Sequence, residues 1–368
     1  MRNKSVDIPF LLVLCALVAF GLLIFTSAAL GLLARDGASF SSVTIKQLLV
    51  GLVLGGIAAY FVSRMDYRKW RAYTPHFFGF ALFLTALTLI PHIGLSLKGA
   101  SRWLVLGPVS FQPEEVLKLA TIAMLAAYYA ARMRQVPTLK GGILPLLAIA
   151  GPAALILLLQ PNTAGVAMLG ATSIVVFFAA GGRLLHMGLL ALLCALAIGG
   201  AALMYPHVSQ RIETFLDQSS DPQGAGWQIQ QSLIAVGSGG FFGRGFGQGI
   251  EKFSYLPEPI GDSIFAVAGE EFGFVGSVIL VGLFIALGLL GLRIAARAPD
   301  PFGGLLVIGL VVLIVGQSFF NIASSLGLVP LVGVPLIFVS NGGTALAMAF
   351  VEAGVIVSVS RRMKKPTS

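Results

Sequence analysis

Long apolar runs without a charged residue are the feature that most limits how this chain can fold. The first extends over 26 residues, from Ile8 to Leu33, and comparable runs recur along the sequence. A run of about 20 apolar residues spans a bilayer as one α-helix, in which every backbone polar group is hydrogen-bonded within its own segment. Because the apolar region of a cleavable signal peptide has only about 7–15 residues, the first run is predicted to be a membrane span.

The charge content supports the same interpretation. Only 11% of the residues are charged and 57% are apolar, whereas about a quarter of the residues of a soluble protein are charged. We therefore predict an all-α integral membrane protein that forms one polytopic domain over residues 1–368, with ten transmembrane helices. The predicted spans are residues 8–34, 45–63, 75–94, 115–131, 141–159, 163–181, 184–204, 262–292, 302–325 and 342–360.

Basic residues predict the orientation of these spans. Sixteen of the 24 Lys and Arg residues fall on the side that carries both termini, and by the positive-inside rule that side is cytoplasmic. They are Arg2, Lys4, Arg64, Arg68, Lys69, Arg71, Arg132, Arg134, Lys140, Arg183, Arg293, Arg297, Arg361, Arg362, Lys364 and Lys365. This distribution accounts for the net charge of +9. Since no basic run on a soluble segment is interleaved with aromatic residues, the sequence excludes nucleic-acid binding.

Acidic residues concentrate on the opposite side, which predicts a functional outer face. Eleven of the 15 lie in outer loops or at the outer ends of spans: Asp36, Glu114, Glu115, Glu213, Asp217, Asp221, Glu251, Glu258, Asp262, Glu270 and Glu271. The large extracytoplasmic loop, between spans seven and eight, is the polar and glycine-rich segment 205–261. A further connection, 326–341, is uncharged and contains two prolines, and we predict that it enters the membrane edge as irregular backbone.

Asp262 stands where the 205–261 loop meets span eight, and two interpretations of it are compatible. As a helix N-cap, its carboxylate would accept hydrogen bonds from the first free amides. As an ionised carboxylate at a water-reachable membrane edge, it is a candidate general base for a sugar hydroxyl. The helix dipole favours the ionised form in both cases. We therefore predict that the active site is built around Asp262.

Glu114, Glu115 and Lys118 open span four. Pro113 ahead of them and acids in the first turn are usual at a helix start, and Glu115 and Lys118 have the i, i+3 spacing of an ion pair. The structural interpretation is a stabilised helix start. The functional one is that Lys118, held by the acid, lies near a phosphate-bearing substrate.

Three acids fall inside predicted spans: Glu270 and Glu271 in span eight, and Glu352 in span ten. A charge in the membrane costs several kcal/mol unless it is paired, so such acids are candidates for function. Their expected partners are basic or amide side chains of other segments: Arg102 or Lys118 for the span-eight acids, and Gln317 with Asn321 for Glu352.

The glycine-rich run 237–249 does not have the pattern of a nucleotide-binding loop, because it lacks GK[ST] and no strand precedes it. We predict instead that its glycines allow close backbone approach to another loop or to a sugar. Residues 340–344 open span ten, where free amides would hold an anion such as a diphosphate or simply form an N-cap.

The sequence does not indicate a resident metal site or a disulfide. The four histidines, His76, His92, His186 and His207, lack metal-ligand spacing. Cys15 and Cys194 both lie in apolar runs, as packing residues do. A zinc enzyme is therefore not expected.

Short motifs follow one another along nearly the whole chain. They are Lys98-Gly99-Ala100-Ser101-Arg102-Trp103, Gln112-Pro113-Glu114-Glu115 with Lys118, Gln160-Pro161, Asp221-Pro222 with Gly226-Trp227-Gln228, Gln231-Ser232, Gly237-Ser238-Gly239-Gly240, Leu256-Pro257-Glu258, Asp262, Ile264-Phe265-Ala266, Glu270-Glu271-x-Gly273, Gly333-Val334-Pro335-Leu336 and Ser340-x-Gly342-Gly343. Together they resemble the SEDS family, whose members include FtsW and RodA. The resemblance implies a ten-span polymerase that makes peptidoglycan strands from lipid II at the bacterial cytoplasmic membrane.

By this resemblance, Asp262 matches the catalytic aspartate, which would take the proton of the acceptor GlcNAc 4-hydroxyl as it attacks C1 of a polyprenyl-diphosphate-linked MurNAc. The candidate substrate-binding residues, with the basic ones on the diphosphate, are Arg102, Glu115, Lys118, Arg244, Glu258, Glu271, Ser340 and Gly342. The donor is its own energy source, so the only cofactor compatible with the chemistry is a divalent cation, Mg²⁺ or Mn²⁺. The implied partners are a class B penicillin-binding protein, which is a transpeptidase, and other divisome or elongasome membrane proteins.

Three positions depart from the family pattern. Asn162 stands where the family usually has Asp, and the glycine that follows is displaced to Gly165, which puts a second acidic role there, such as holding a metal, in doubt. Ile337 replaces a common proline and Asn341 a common aromatic residue, so the loop before span ten is expected to be less rigid. The segment 245–258 is closer to FtsW than to RodA, and leaves division and elongation as open alternatives.

Two other functions fit the same architecture. A lipid II flippase or transporter would use the acids inside the spans as a proton relay, although the short basic inner loops offer it few binding groups. A non-catalytic membrane scaffold for a penicillin-binding protein would leave Asp262 dispensable.

Overall fold

The computed structural model describes residues 6–35, 43–45, 47–91, 93–97, 100–106, 109–217, 221, 224–331 and 333–363. Of the residues named above, those outside these ranges are Arg2, Lys4, Asp36, His92, Lys98, Gly99, Pro222, Lys364 and Lys365. In the described part, helices dominate and one small sheet lies in a connection between two of them.

The helices follow the apolar runs of the sequence. They are α1 Ile8–Arg35, α2 Gly55–Arg64, α3 Tyr67–Leu87, α4 Pro113–Ala131, α5 Leu144–Leu159, α6 Thr163–Ala179, α7 Leu184–Met204, α8 Pro206–Leu216, α9 Ala225–Ser238, α10 Glu251–Ser254, α11 Ile264–Ala296, α12 Pro301–Ser325 and α13 Gly343–Ser360. Two π-helical segments, Gln47–Leu54 and Leu139–Ile143, lead into α2 and α5, and a 3₁₀ turn, Met133–Gln135, follows α4.

Seven helices of the described chain are long and apolar enough to cross a membrane. They are Ile8–Leu33, Val43–Arg64, Leu139–Leu159, Leu184–Met204, Ile264–Ala296, Pro301–Ser325 and Gly343–Ser360. The other three predicted spans correspond to α3, α4 and α6. These helices differ for physical reasons: α6 has only 17 residues, α4 carries two acids in its first turn, and α3 begins with a basic stretch. The all-helical membrane fold is thus confirmed, and the number ten stays a prediction.

The 205–261 segment is more ordered than the predicted loop. It contains α8, α9 and α10, and Asp221 fixes the start of α9 because its carboxylate accepts a hydrogen bond from the amide of Ala225 at 2.8 Å. The prediction of a loop was therefore wrong for about half of this segment. Helices in this position hold their side chains in fixed directions, which matters for the site described below.

A three-stranded antiparallel sheet precedes α4 and was not predicted. Its strands are β1 Gly94–Leu97, β2 Ala100–Leu106 and β3 Val109–Phe111, in the order β1-β2-β3. The register pairs Leu95 with Trp103 and Leu104 with Phe111. The central strand carries Arg102, so the sheet gives that arginine a fixed backbone.

The glycine-rich run packs against a break in α11. Gly273 has φ 64° and ψ −162° inside the helix, a conformation that is essentially restricted to glycine. Around the break, Phe274 N donates to Gly240 O at 2.9 Å and Gly245 N donates to Glu271 O at 3.0 Å. A Cβ on Gly243 would meet the backbone of Glu271. The predicted close backbone approach is confirmed, with a helix as the partner.

The polar end of α12 leads to the candidate site. This helix contacts α4, α6, α11 and α13, so most of its surface is covered by protein. Its last three turns nevertheless carry several buried polar side chains: Gln317, Ser318, Asn321, Ser324 and Ser325. Buried polar groups require hydrogen-bond partners, and Asn321 and Ser325 find theirs in the segments around Asp262.

Candidate active site

Asp262 lies in a tight turn directly before α11. The amides of Gly261 and Ser263 both donate to the carbonyl of Glu258, at 3.0 and 3.2 Å, and Glu258 itself has φ 48°. The N-cap residue of α11 is Ser263, one position later than the N-cap interpretation of Asp262 required. Asp262 is half-buried and therefore stands in the turn, where a substrate can reach it.

Side chains of α12 hold the backbone of Asp262. Its carbonyl accepts hydrogen bonds from Asn321 Nδ2 and Ser325 Oγ, each at 3.1 Å. Asn321 Nδ2 also donates to the carbonyl of Val334 at 2.8 Å. The turn and the irregular segment before α13 are thereby fixed to one helix.

Ser340 and Asn341 join the same two segments directly. Ser340 Oγ donates to the carbonyl of Gly261 at 2.8 Å and accepts from Leu336 N at 2.8 Å, while Asn341 N donates to Ile260 O at 2.7 Å. The predicted irregular backbone before α13 is confirmed, and it is buried against protein as expected.

The anion site predicted at the start of α13 is not formed as expected. Gly342 N donates to Gln47 Oε1 at 3.1 Å, and the Ser340 hydroxyl is used within the loops. The first amide and hydroxyl of this helix start are thus already bonded to protein. Gly342 lines the cavity described next, so its contribution is to the shape of the wall.

A polar cavity of about 230 Å³ opens beside Asp262. Its wall combines residues from the sheet, α4, α6, the Asp262 turn, α12 and the segment before α13. The polar side chains that line it are Arg102, Trp103, Gln112, Glu114, Glu115, Asn162, Glu258, Asp262, Gln317 and Asn341. The Asp262 carboxylate faces the backbone of Gly333, where an added Cβ would lie 3.5 Å from Oδ2. Five of the predicted site residues therefore share one cavity: Arg102, Glu115, Glu258, Asp262 and Gly342.

The predicted ion pair at the start of α4 is confirmed, and its acid, Glu115, lines the cavity. Lys118 Nζ lies 2.8 Å from each carboxylate oxygen of Glu115 and donates to Gln317 Oε1 at 3.0 Å. Lys118 is only 2% exposed and does not line the cavity. Its role as a phosphate contact stays a prediction, and in this geometry its amino group already has buried acceptors in Glu115 and Gln317.

Asn162, which departs from the family pattern, also lines the cavity. Its side-chain amide donates to a carboxylate oxygen of Glu114, and its Oδ1 accepts from the amide of Gly165 at 3.0 Å. An aspartate could not donate to Glu114. The asparagine therefore suits an acidic neighbour that an aspartate would repel.

Three basic side chains surround the carbonyl of Pro161 and the Asp262 carboxylate. They belong to Arg102, Arg211 and His207. Arg102 Nη2 donates to Pro161 O at 2.8 Å. Burial lowers the pKa of Arg102, and the negative charges of Glu114 and then of Asp262 oppose that shift. Burial, and then the charge of Arg102, lower the pKa of Arg211, which Asp262 again opposes. Sequence reasoning did not assign Arg211 to the site. The feature that could have indicated it is an arginine in the first helical turns after span seven.

The chain was compared with known proteins. The sequence model of the FtsW/RodA/SpoVE family, described as cell cycle protein, matches residues 8–365. The chain is 37% identical over 362 residues to the stage V sporulation protein E of Bacillus subtilis, and the match covers 98% of each chain. It belongs to the FtsW/RodA/SpoVE family. The resemblance to SEDS proteins is confirmed, and the chain is a multi-pass bacterial membrane protein.

Other relatives in this family have enzymatic or structural descriptions. The chain is 36% identical to a probable peptidoglycan glycosyltransferase FtsW of Trichlorobacter lovleyi, over 99% of this chain and 95% of the relative. A solved chain from a study of polymerization and crosslinking by a peptidoglycan synthase complex has a TM-score of 0.80 and 27% identity, over 97% of this chain and 98% of that one. A mutant of the rod shape determining protein RodA of Thermus thermophilus has a TM-score of 0.71 and 25% identity, over 98% of this chain and 99% of that one.

In this FtsW/RodA/SpoVE protein, Glu271 lies outside the cavity. Its Oε1 accepts from Lys252 Nζ at 2.5 Å and from Ser27 Oγ at 2.7 Å, and its Oε2 accepts from Gly247 N at 3.1 Å. Lys252 and Glu271 are almost completely buried, at 0% and 1% exposure. The predicted partners of Glu271 were Arg102 and Lys118. They were wrong, because the lysine that pairs with Glu271 comes from α10, just after the glycine-rich run.

Glu270 has a similar structural role. Its carboxylate accepts from the amide of Ile250 at 2.7 Å and lies 3.7 Å from Arg244 Nε. Neither Glu270 nor Arg244 lines the Asp262 cavity. The predicted substrate contact by Arg244 is therefore not supported: this arginine is paired on the far side of the break in α11.

Glu352 remains a buried acid without the partners predicted for it. It is 3% exposed, and its nearest charges are Glu115 and Lys118. Gln317 accepts from Lys118, and Asn321 donates to Asp262 and Val334. The prediction that these two amides satisfy Glu352 was wrong, because the site uses both of them.

Proposed function

We propose that this protein is a peptidoglycan glycosyltransferase, which polymerises lipid II into β-1,4-linked glycan strands with Asp262 as the general base. The observation that carries the proposal is the position of Asp262: a half-buried carboxylate on a backbone fixed from α12, facing a polar cavity of about 230 Å³. A positioned base within reach of a bound hydroxyl is what acceptor activation requires. The enzymatic names of the relatives support the same activity.

The proposed reaction is a displacement at the donor sugar. Asp262 takes the proton of the acceptor 4-hydroxyl while its oxygen bonds to C1 of the donor MurNAc. The bond between C1 and the diphosphate oxygen breaks, polyprenyl diphosphate leaves, and the anomeric centre inverts. Because the diphosphate is the leaving group, no nucleotide is needed, in agreement with a glycine-rich segment that packs on α11 rather than on a ligand.

We propose ten transmembrane helices, the seven long apolar ones together with α3, α4 and α6. The charged start of α4 is turned toward the cavity, where Glu114, Glu115 and Lys118 are buried among protein side chains, so these charges do not exclude a span. With both termini cytoplasmic, the large 205–261 segment and the Asp262 cavity lie on the extracytoplasmic side of the membrane.

The proposed partner is a class B penicillin-binding protein, which would crosslink the new strands, together with divisome or elongasome membrane proteins. A neighbouring structure described as a peptidoglycan synthase complex supports this pairing. The assignment to septal or lateral wall synthesis follows from the partner, and the relatives named FtsW favour the division role.

A divalent cation, Mg²⁺ or Mn²⁺, is proposed to enter with the substrate. The described residues contain no group of three His, Cys, Asp or Glu side chains arranged to hold a metal, but Asp262 and Glu258 line the same cavity. Two carboxylates and a diphosphate supply the oxygen ligands that Mg²⁺ prefers. Titration of the metal in a polymerisation assay tests this point.

Two contacts weigh against the alternative of a flippase that uses the acids as a proton relay. Glu270 and Glu271 accept backbone amides and a buried lysine, so they are committed to holding the glycine-rich segment. Glu352 is left near the Asp262 cavity, next to Lys118. A scaffold without activity would have no use for a base whose backbone is held by two side chains of α12.

The deciding experiment measures polymerisation of labelled lipid II by the purified protein, with and without the transpeptidase. Wild type is compared with Asp262→Ala and Asp262→Asn at equal amounts of folded protein. We expect long strands from wild type and a loss of about 10²–10⁴-fold in both variants, the usual contribution of a general base. Variants that keep more than about a tenth of the activity would remove Asp262 from this role, and an inactive wild type would favour the flippase or scaffold.

A further inference from the structure

Two cavities each contain one arginine that interacts with Asp262. Arg102 lines the polar cavity that contains Asp262. Arg211, on α8, lines a second cavity of about 120 Å³. The wall of this second cavity is mostly apolar and includes Ala164, Ala167, Ile198, Ile212, Phe320 and Leu331. The electrostatic interaction between Arg102 and Arg211 indicates that the two cavity walls that carry them are neighbours.

We propose that Arg102, Arg211 and His207 form the diphosphate subsite of the lipid-linked donor, and that the apolar cavity beneath α8 receives the first carbons of its polyprenyl chain. This inference rests on the proposed function and names the residues that would hold the leaving group. The chemical order of the donor, from sugar to diphosphate to hydrocarbon, follows the order from the Asp262 cavity to the arginines to the apolar cavity.

The first argument is that these cations lack a direct ion pair with any acidic side chain in the described part of the chain. Neither arginine forms an ion pair with a carboxylate within the described residues. Arg102 Nε and His207 Nε2 are buried and have no hydrogen-bond partner there. Arg102 Nε is thus a buried donor without an acceptor, which is costly, and His207 Nε2 becomes a donor when the imidazole is protonated. A ligand with several acceptor oxygens would satisfy both groups.

The second argument is electrostatic. Arg102 and Arg211 repel each other, and burial together with this repulsion lowers the pKa of Arg211. Asp262 is the protein's own negative charge near both arginines, and a diphosphate bound between the two guanidinium groups would further offset their repulsion. Arginine is suited to the task because its planar group forms paired hydrogen bonds with phosphate oxygens. The same charges would stabilise the negative charge that develops on the leaving oxygen.

The third argument is that the other candidate cations are occupied. Lys118 donates to Glu115 and Gln317 below the cavity, and Arg244 is paired with Glu270. A larger apolar cavity of about 440 Å³ is lined by Val236, Phe265, Phe274 and Val278 among others, but no basic side chain contributes to it. It can hold hydrocarbon without providing a contact for a diphosphate.

The test measures binding of undecaprenyl diphosphate, undecaprenol and inorganic diphosphate to the purified full-length protein in detergent. We expect Arg211→Ala and Arg102→Ala to weaken binding of both diphosphates by about tenfold or more, the effect of losing a charge-assisted hydrogen bond, and to leave undecaprenol binding unchanged. Arg134→Ala, which removes an exposed arginine from the 3₁₀ turn after α4, is the matched control. Thermal unfolding verifies that each variant is folded.

The apolar half of the proposal has its own pair of variants. Ala167→Phe fills the cavity beneath α8 and is expected to weaken undecaprenyl diphosphate but not inorganic diphosphate. Val278→Phe changes the larger apolar cavity in the same way and is expected to have no effect. The opposite result would assign the polyprenyl chain to the larger cavity and overturn this part of the proposal.

The outcomes separate this inference from the proposed function. If wild type polymerises lipid II and Arg211→Ala binds undecaprenyl diphosphate as tightly as wild type, the subsite assignment is wrong while the function stands. If wild type makes no polymer but binds diphosphate, and the arginine variants lose that binding, the subsite is supported and the glycosyltransferase proposal fails.

Discussion

The side-chain amide of Asn321 donates to the backbone carbonyl of Asp262 at 3.1 Å and so fixes the proposed base from a neighbouring helix. The same nitrogen donates to the carbonyl of Val334 at 2.8 Å. Asn321 is 1% exposed, so neither carbonyl can exchange this donor for bulk water. One side chain therefore holds two walls of the cavity in register.

Replacement of Asn321 by alanine is expected to lower kcat by about 10–100-fold, because small displacements of a catalytic group are expensive. Two buried carbonyls lose their donor, which should also cost about 1–3 kcal/mol of stability. A positioning role predicts that KM for lipid II changes much less than kcat in steady-state polymerisation. Ser318→Ala is the control, since this buried hydroxyl bonds only to Ile314 within its own helix. An unchanged kcat in folded Asn321→Ala would contradict the role.

Gly273 gives a prediction about the break in α11. Its φ of 64° and ψ of −162° lie in a region that costs a residue with a side chain about 1–3 kcal/mol, and an added Cβ would also meet the backbone of Phe241 to Gly243. Gly273→Ala should therefore lower the thermal unfolding temperature. Gly282→Ala lies in the same helix with open space around it and should be neutral or slightly stabilising. Equal effects of the two substitutions would show that the break is not strained by a side chain.

The buried pair between Lys252 and Glu271 predicts a non-additive result. Removal of one member leaves an uncompensated charge, so Lys252→Met alone should destabilise by about 3–5 kcal/mol. The double variant Lys252→Met with Glu271→Gln should recover part of that loss, because no charge then remains buried alone. Unfolding in detergent measures both, with exposed Lys140→Met as the control. Strictly additive losses would indicate that the two side chains do not interact.

Much of the site could be predicted from the sequence, since helix starts and motif order are local properties. The ion pair of Glu115 with Lys118 could be predicted from their spacing on one helix. The candidate role of Asp262 could be predicted from its position at a helix start. The residues that stabilise Asp262 could be foreseen only in part. Asn321 was noticed as a polar residue in an apolar span, but its partner is a backbone carbonyl far along the chain, which no periodic pattern records.

The failures have an equally physical origin. Lys252 reaches Glu271 only because α11 is broken at Gly273 and the glycine-rich segment packs into the break, which the apolar pattern of one long span does not reveal. The strands of the small sheet have only four, seven and three residues, too few to show alternation. Arg211 was overlooked because the 205–261 segment was treated as a loop. A loop, unlike α8, does not allow the direction of a side chain to be predicted.

His207 provides a pH-dependent test of the diphosphate subsite. Burial, and then the positive charge of Arg211, hold the pKa of His207 below its ordinary value, and Arg102 adds to this effect. The imidazole is therefore neutral at pH 7 in the free protein. Asp262 is the acid that interacts with both arginines. A bound diphosphate favours the protonated imidazole and raises its pKa in the complex.

Affinity for undecaprenyl diphosphate should consequently increase as the pH falls through the pKa of His207 in the complex, and level off below its pKa in the free protein. The ligand itself titrates in the same region, so the informative quantity is the difference between wild type and His207→Gln, which cannot gain a charge. Binding measured from about pH 5 to pH 8 should show the steeper rise toward acid in wild type. Parallel curves would mean that His207 does not contact the diphosphate, and would leave the two arginines as its ligands.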